Sequence, residues 1–275
     1  MQAEGEPRAG PTPAWTPSSL PADAYRVIAS VAGWGAFAGG CLVWGVSVVP
    51  VTLALLPFWP GVREPFHALT RAALLVYFHT LLFMRVEVEG AEHRLAGPRV
   101  VVANHQSLLD SILLISLEPR LAGPSRSYMF RIPIVRTILR LAGFHPADAG
   151  ELPSLERMRA GAEEARARGG GLLFFPEGTR SRSGAVGAFH RGAFRVAVDH
   201  ALPIQPVVIE GLDRVLPPGR FLVVSPWRPV VRVRYLEPLR PPYGAGVRRE
   251  VVRALASGVR ETLVAELARL RARRG

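Results

Sequence analysis

The sequence predicts an α/β protein: a largely parallel central sheet flanked by helices, preceded by an N-terminal hydrophobic, membrane-anchoring helical segment. Three observations carry this. From residue 85 onward short β-rich runs alternate with helical ones, the order that lays helices over a mostly parallel sheet. Arg99–Ala103 (RVVVA) is continuously apolar at its centre rather than alternating, as in a strand covered on both faces. No charge interrupts the 36 residues between Arg26 and Arg63, well past the roughly 20 apolar residues that cross hydrocarbon.

Taken in order, residues 1–24 are rich in Pro, Ala and Gly and read as a disordered tail. Residues 25–84 form the anchoring region. Within it Val27–Leu56 is apolar on every side, unlike the helix of a soluble core. Gly33, Gly35, Gly39, Gly40 and Pro50 leave either a kinked span or a re-entrant hairpin open. Ala72–Met84 is too short to span and suits a helix in the interface or against the core. Trp34, Trp44, Trp59 and Tyr77 are suited to headgroup level. More arginines follow the span than precede it, which places the remainder on the cytoplasmic face.

The α/β domain, 85–275, begins with Arg85–Glu89 (RVEVE), alternating with period two as a half-buried strand does. Further strands are expected at 99–103, 171–175, 204–209 and 230–235. Helices are expected at 108–117, at 133–142 with Pro133 in its first turn, and from a Ser154 cap to about Arg168, stopped by Gly169–Gly171. A last helix over 247–273 places Val251, Leu255, Val259, Leu263 and Leu267 at four-residue steps, as one apolar face against the sheet.

Composition excludes several chemistries. All 34 basic residues are arginine, so neither a Schiff-base nor a P-loop lysine is present. The single Cys41 excludes an intramolecular disulfide framework and a cysteine-rich zinc site. The formal charge is +12. Between Glu118 and Asp148 five arginines (Arg120, Arg126, Arg131, Arg136, Arg140) meet no acid, and eight arginines in 248–275 face three glutamates. Beside an anchor such a surface suits anionic lipid headgroups, and equally an acidic carrier protein or the phosphates of coenzyme A. The arginines are dispersed and not interleaved with aromatics, so no nucleic-acid partner is expected.

In an open α/β sheet, ligands bind beyond the C-terminal strand ends, and two polar segments occupy that position. After RVVVA comes Asn104–Asp110 (NHQSLLD). Its Asp110, five residues after His105 and early in a helix starting near Ser107, either is an ordinary helix-surface aspartate beside a solvated loop histidine or would fix the tautomer of His105 and leave the other ring nitrogen as a general base. After GLLFF comes Pro176–Ser181 (PEGTRS), a turn presenting a carboxylate, a hydroxyl, backbone amides and a guanidinium matched to phosphate oxygens. Neither G-x-S-x-G nor H-E-x-x-H occurs, so no enzyme nucleophile competes with His105.

NHQSLLD at 104–110, FPEGTR at 175–180 and FHRGAF at 189–194, with LPIQPV at 202–207, resemble the blocks of the glycerolipid acyltransferase family, whose best-known members acylate 1-acylglycerol 3-phosphate. The resemblance covers roughly 87–209. It implies that residues 85–275 are an acyltransferase domain, with His105 the general base towards the acceptor hydroxyl and Asp110 its orienting partner. Glu177, Gly178, Thr179, Arg180 and Arg131 would bind the acceptor, Arg180 meeting its phosphate, while Pro203 and Pro206 would shape the wall near the acyl chain.

The co-substrate would be a thioester of coenzyme A or acyl carrier protein, with no metal and no other cofactor. A lysophospholipid would be the acceptor and phosphatidate the product. A different lysolipid, such as an aminolipid, or a non-catalytic membrane scaffold, are the alternatives. Several positions depart from the family pattern: Ala149 stands where an acceptor-binding arginine is usual, Arg136 for a glycine, His190 for a lysine and Gln205 for an apolar residue.

Overall fold

The computed structural model describes residues 20–81, 84–147, 155–221, 229–242 and 249–273. The readings made for residues 1–19, Ala149, the Ser154 cap and the start of the last helix at 247 lie outside them.

Helix α1 (Leu20–Val46) passes into α2 (Val48–Leu55) with a break at Ser47. Three residues on, Pro50 has no amide to give the Val46 carbonyl and crowds it, which bends the helix there. Arg26–Leu55 is one helix long and apolar enough to cross a membrane, with only 11% of its most apolar window buried. Its outward side chains include Val27, Ile28, Val31, Leu42, Val43, Val46 and Val51.

The same helix is fastened to the rest of the protein. Trp34 Nε1 donates to the Phe221 carbonyl at 2.7 Å, the Tyr77 hydroxyl to the Gly33 carbonyl at 3.2 Å, and Trp44 Nε1 to Thr70 Oγ1 at 3.1 Å. Three of the four aromatics expected at headgroup level thus give their polar atoms to partners within the chain, Trp34 at an exposed site, and Trp59 is exposed. Helix α3 (Arg63–Val76) runs on into a π-turn over Tyr77–Leu81. Phe78 and Met84 are buried beside Leu109, Leu113 and Leu114, so the second apolar stretch lies against the core.

Among the described residues seven strands form one sheet: β1 (Arg85–Glu89), β2 (Arg99–Ala103), β3 (Leu121–Ser125), β4 (Phe144–Pro146), β5 (Gly171–Phe174), β6 (Ile204–Glu210) and β7 (Val230–Tyr235). Their order is β1-β7-β6-β2-β5-β3-β4, and every pairing is parallel except β6 with β7. The sheet is thus largely parallel, as expected. Strands β3 and β4, which the sequence did not announce, extend one edge.

Side-chain alternation separates two cores. Val100, Val102, Leu172, Phe174, Ile204 and Val208 face α6 (Leu155–Ala167), α7 (Gly192–Asp199) and α9 (Arg249–Ala272). Val101, Ala103, Leu173, Val207, Ile209 and Val231 face α4 (Leu109–Leu117) and the short α8 (Leu212–Val215). A third cluster joins α2 and α3 to α5 (Pro133–Leu141) through Val49, Phe66, Phe130 and Leu141.

Two expectations shift in detail. On α9 the buried apolar residues are Val252, Ala256, Val259, Leu263, Leu267 and Leu270, while Val251 and Leu255 are half-buried. A row of four-residue steps drifts off a face that repeats every 3.6 residues. Gln205 is fully buried in β6, where its Nε2 donates to the Leu236 carbonyl at 2.7 Å and its Oε1 accepts from Leu95 N at 3.0 Å. A polar residue is tolerated there because both ends of its amide are satisfied.

Candidate active site

Strands β2 and β5 are parallel neighbours, Val102 opposite Phe174. Their C-terminal ends therefore discharge onto the same edge, and residues 104–107 and 175–180 emerge side by side. Asn104, fully buried, fixes the first segment: Nδ2 donates to the Ile209 carbonyl and Oδ1 accepts from Ile209 N, both at 2.8 Å. Ser107 Oγ ties the same segment to the Leu216 carbonyl at 2.9 Å.

His105 Nδ1 lies 2.9 Å from Asp110 Oδ2, with the carboxylate fully buried and the imidazole 19% exposed. Helix α4 begins at Leu109, two residues beyond the expected start, and Asp110 sits in its first turn. The cause is local. Asp110 Oδ2 also accepts from Gln106 N (2.6 Å) and Ser107 N (2.7 Å), drawing those amides into a tight turn instead of a helix. Such side-chain bonds compete with helical ones, and a carboxylate in the first turn suits the helix dipole. Three donors on one oxygen leave the carboxylate little freedom to rotate. On its other side the imidazole stacks on Phe175, centroids 4.1 Å apart.

Glu177, nearly buried, bridges two segments: Oε1 accepts from His105 N and Oε2 from Gly187 N, each at 2.8 Å. Burial pushes its carboxyl above the ordinary range, and the two amides offset part of that. Gly178 takes φ +68° in the turn, and a Cβ there would press on the His190 ring. Ser181 N donates to the His105 carbonyl at 2.8 Å.

Around this turn opens a cavity of about 720 Å³, lined by Glu177, Thr179, Arg180, Arg182, Phe189 and His190 among others, within the size range of ligand sites. Its one lining acid, Glu177, is already engaged by backbone amides, while Arg180 and Arg182 line it with their charges. A site of that composition favours an anionic ligand.

His105, Asp110, Glu177, Gly178, Thr179 and Arg180 are therefore brought together. Arg131, itself exposed, closes a 3₁₀ turn over Ser127–Arg131. Arg126, five residues before it, is the arginine of that stretch whose guanidinium reaches the turn, 3.4 Å from the Gly178 carbonyl. Sequence reasoning counted Arg126 only as basic surface. Nothing in its neighbours marks it, because its place is set by β3 lying beside β5.

Residues 85–210 match the family profile described as Acyltransferase. The chain is 30% identical over 187 residues to the chloroplastic 1-acyl-sn-glycerol-3-phosphate acyltransferase BAT2 of Brassica napus, covering 65% of this chain and 54% of that protein. It is 31% identical over 207 residues to 1-acyl-sn-glycerol-3-phosphate acyltransferase alpha of Mus musculus, covering 70% and 66%. Against the plant proteins this chain spans about half their length. Among solved structures, the 1-acyl-sn-glycerophosphate (LPA) acyltransferase PlsC of Thermotoga maritima superposes with a TM-score of 0.71 at 25% identity, over 92% of this chain and 99% of that one. Residues 85–210, with the His105–Asp110 pair and the PEGTR turn inside them, are thus a domain that matches the acyltransferase family.

Proposed function

We propose that the protein transfers a fatty acyl group from a thioester to the free hydroxyl of 1-acylglycerol 3-phosphate, giving phosphatidate. The observation that carries this is the 2.9 Å bond from His105 Nδ1 to the buried Asp110 carboxylate, beside an arginine-lined cavity. With Nδ1 committed, Nε2 takes the proton of the acceptor hydroxyl as its oxygen attacks the thioester carbonyl. The tetrahedral intermediate collapses, the C–S bond breaks, and the thiolate leaves with the proton that His105 returns. Asp110 holds the tautomer and stabilises the transient imidazolium. No acyl-enzyme forms, and neither metal nor cofactor takes part.

Arg180 and Arg126 meet the acceptor phosphate, which the second carboxylate of the site does not repel because Glu177 is turned onto backbone amides. The donor is acyl-coenzyme A or acyl carrier protein. Work on a lipid acceptor fits an enzyme held at the cytoplasmic face of a membrane by α1 and α2, among anionic lipids. The names of the relatives support this acceptor.

The test is acyl transfer by the purified chain, offering labelled acyl-coenzyme A and acyl carrier protein against lysophosphatidate and lysolipids with other headgroups. Transfer to lysophosphatidate is expected, and His105→Ala lowers kcat by about 10²–10⁴-fold, the usual contribution of a general base, with its folding unchanged. Full turnover by His105→Ala would sink the mechanism, and transfer confined to another headgroup would sink the acceptor.

A further inference from the structure

The cavity is lined by a single connection, Phe175–Arg191, between β5 and α7. A loop of that length inside a compact domain is uncommon, and its backbone polar groups must find partners. Its near part bonds to the site itself: Ser181 N to the His105 carbonyl and His190 N to the Pro176 carbonyl, both 2.8 Å. The far part, Gly184–Gly187, is gripped from the last helix. Arg260 on α9 donates Nε to the Gly187 carbonyl at 2.6 Å and Nη2 to the Val186 carbonyl at 3.0 Å. One planar guanidinium closes a fork on two consecutive carbonyls, a geometry an ammonium cannot copy.

Arg271 Nη2 donates to the Gly184 carbonyl at 2.8 Å, and Gln106 Nε2, next to His105, donates to the same oxygen at 2.7 Å. Asp213 on α8 steadies that guanidinium from 3.6 Å. Gly187 N completes the chain through Glu177 to the amide of His105. The segment is thus bonded on one side by groups flanking the general base and on the other by α9, which lies outside the family match at 85–210.

We propose that Arg260 and Arg271 are positioning residues for the acceptor: they fix the Gly184–Gly187 wall of the cavity. Docking of α9 itself does not depend on them. The helix is held by Val252, Ala256, Val259, Leu263, Leu267 and Leu270, all in the core. Removing a guanidinium therefore loosens the wall without releasing the helix.

The kinetic arm of the test rests on the acyl-transfer reading, whereas the exchange arm does not. Amide hydrogen exchange over 183–189, thermal unfolding and steady-state kinetics are compared for the full chain and for Arg260→Ala, Arg260→Lys and Arg271→Ala. Arg253→Ala, which removes an exposed arginine from the same helix, is the control for net charge.

Faster exchange is expected in the three variants but not in the control. Acceptor KM rises about 10-fold, equivalent to about 1.4 kcal/mol, while donor KM and kcat stay within about twofold and Tm within about 3 °C. Arg260→Lys should resemble Arg260→Ala, because the fork and not the charge is required. Unchanged exchange, a wild-type Arg260→Lys, an equal effect of Arg253→Ala, or kcat and Tm falling together at constant KM each overturn the proposal. If the wild type transfers no acyl group, the functional reading fails by itself and the exchange arm still decides the clamp.

Discussion

The imidazole of His105 lies flat on the ring of Phe175, centroids 4.1 Å apart and planes 20° from parallel. Asp110 restrains the same imidazole within its own plane through Nδ1. The two contacts leave the ring neither free to spin about its bond nor free to tip. Because a reacting group must be held within a narrow range of distance and angle, Phe175→Ala should lower kcat about 10-fold, roughly 1.4 kcal/mol on the barrier. Phe175→Tyr should retain the wild-type rate. Steady-state kinetics at saturating acceptor checks both, and a fully active Phe175→Ala would show that Asp110 alone sets the ring.

Arg180 belongs to the PEGTR turn and lines the cavity, and Arg126 reaches the same turn from beyond the end of β3. A contact with a phosphate that is charged in ground and transition states alike is uniform binding, so its loss appears in KM. Arg180→Ala should raise the acceptor KM about 10–100-fold, the range set by one charge-assisted hydrogen bond, and Arg126→Ala should act in the same direction. Phosphate-free acceptors should be unaffected. Equal losses for both acceptor classes would remove the phosphate from these residues.

Glu177 titrates above an ordinary glutamate because it is buried. A folded-state value raised over the unfolded one means that the fold binds the proton more tightly, so this group's contribution grows as pH falls through the raised value. Glutamine at the position does not titrate. The stability of wild type relative to Glu177→Gln should therefore increase from pH 7 towards pH 4. At pH 7 the variant should lose activity, because one amide nitrogen of glutamine now faces an N–H of His105 or Gly187. Denaturant titrations at the two pH values decide it, and a difference that shrinks on acidification would contradict the burial argument.

At the opposite end of β2, Arg99 and Glu118 form an ion pair, both almost wholly buried, with Arg94 Nε 3.0 Å from the other Glu118 oxygen. Removing one partner strands a buried charge, so Glu118→Ala should cost about 3–5 kcal/mol of stability. Replacing both by apolar residues, as Arg99→Met with Glu118→Leu, should cost less. Denaturant unfolding measures both. Neither change touches His105, so kcat below the melting transition should hold.

The five strands whose residues are β-branched or continuously apolar were legible in the sequence, and β3 and β4 were not. Their sequences, LAGPS and FHP, carry glycine and proline, which ordinarily mark turns. They pair because β3 lies on β5 closely enough for a Cβ at Gly123 to strike the Leu173 carbonyl. That approach is a long-range fact with no local trace. The site divides in the same way. His105, Asp110 and the PEGTR turn follow apolar strands and could be found by position. Arg126, Arg260 and Arg271 could not, since in a chain whose every cation is arginine no single one stands out until the fold chooses it.

The bonds from Trp34, Trp44 and Tyr77 make the apolar helix a rigid strut, not a leash. With α1 wedged where Gly45 meets Ile134 of α5, the helix and the domain that carries His105 pack as one unit. Trimming the chain back to Arg63 to obtain a water-soluble enzyme would uncover Tyr77 and the aromatic seat of Phe37, so preparations of the enzyme should keep the strut and solubilise it with detergent.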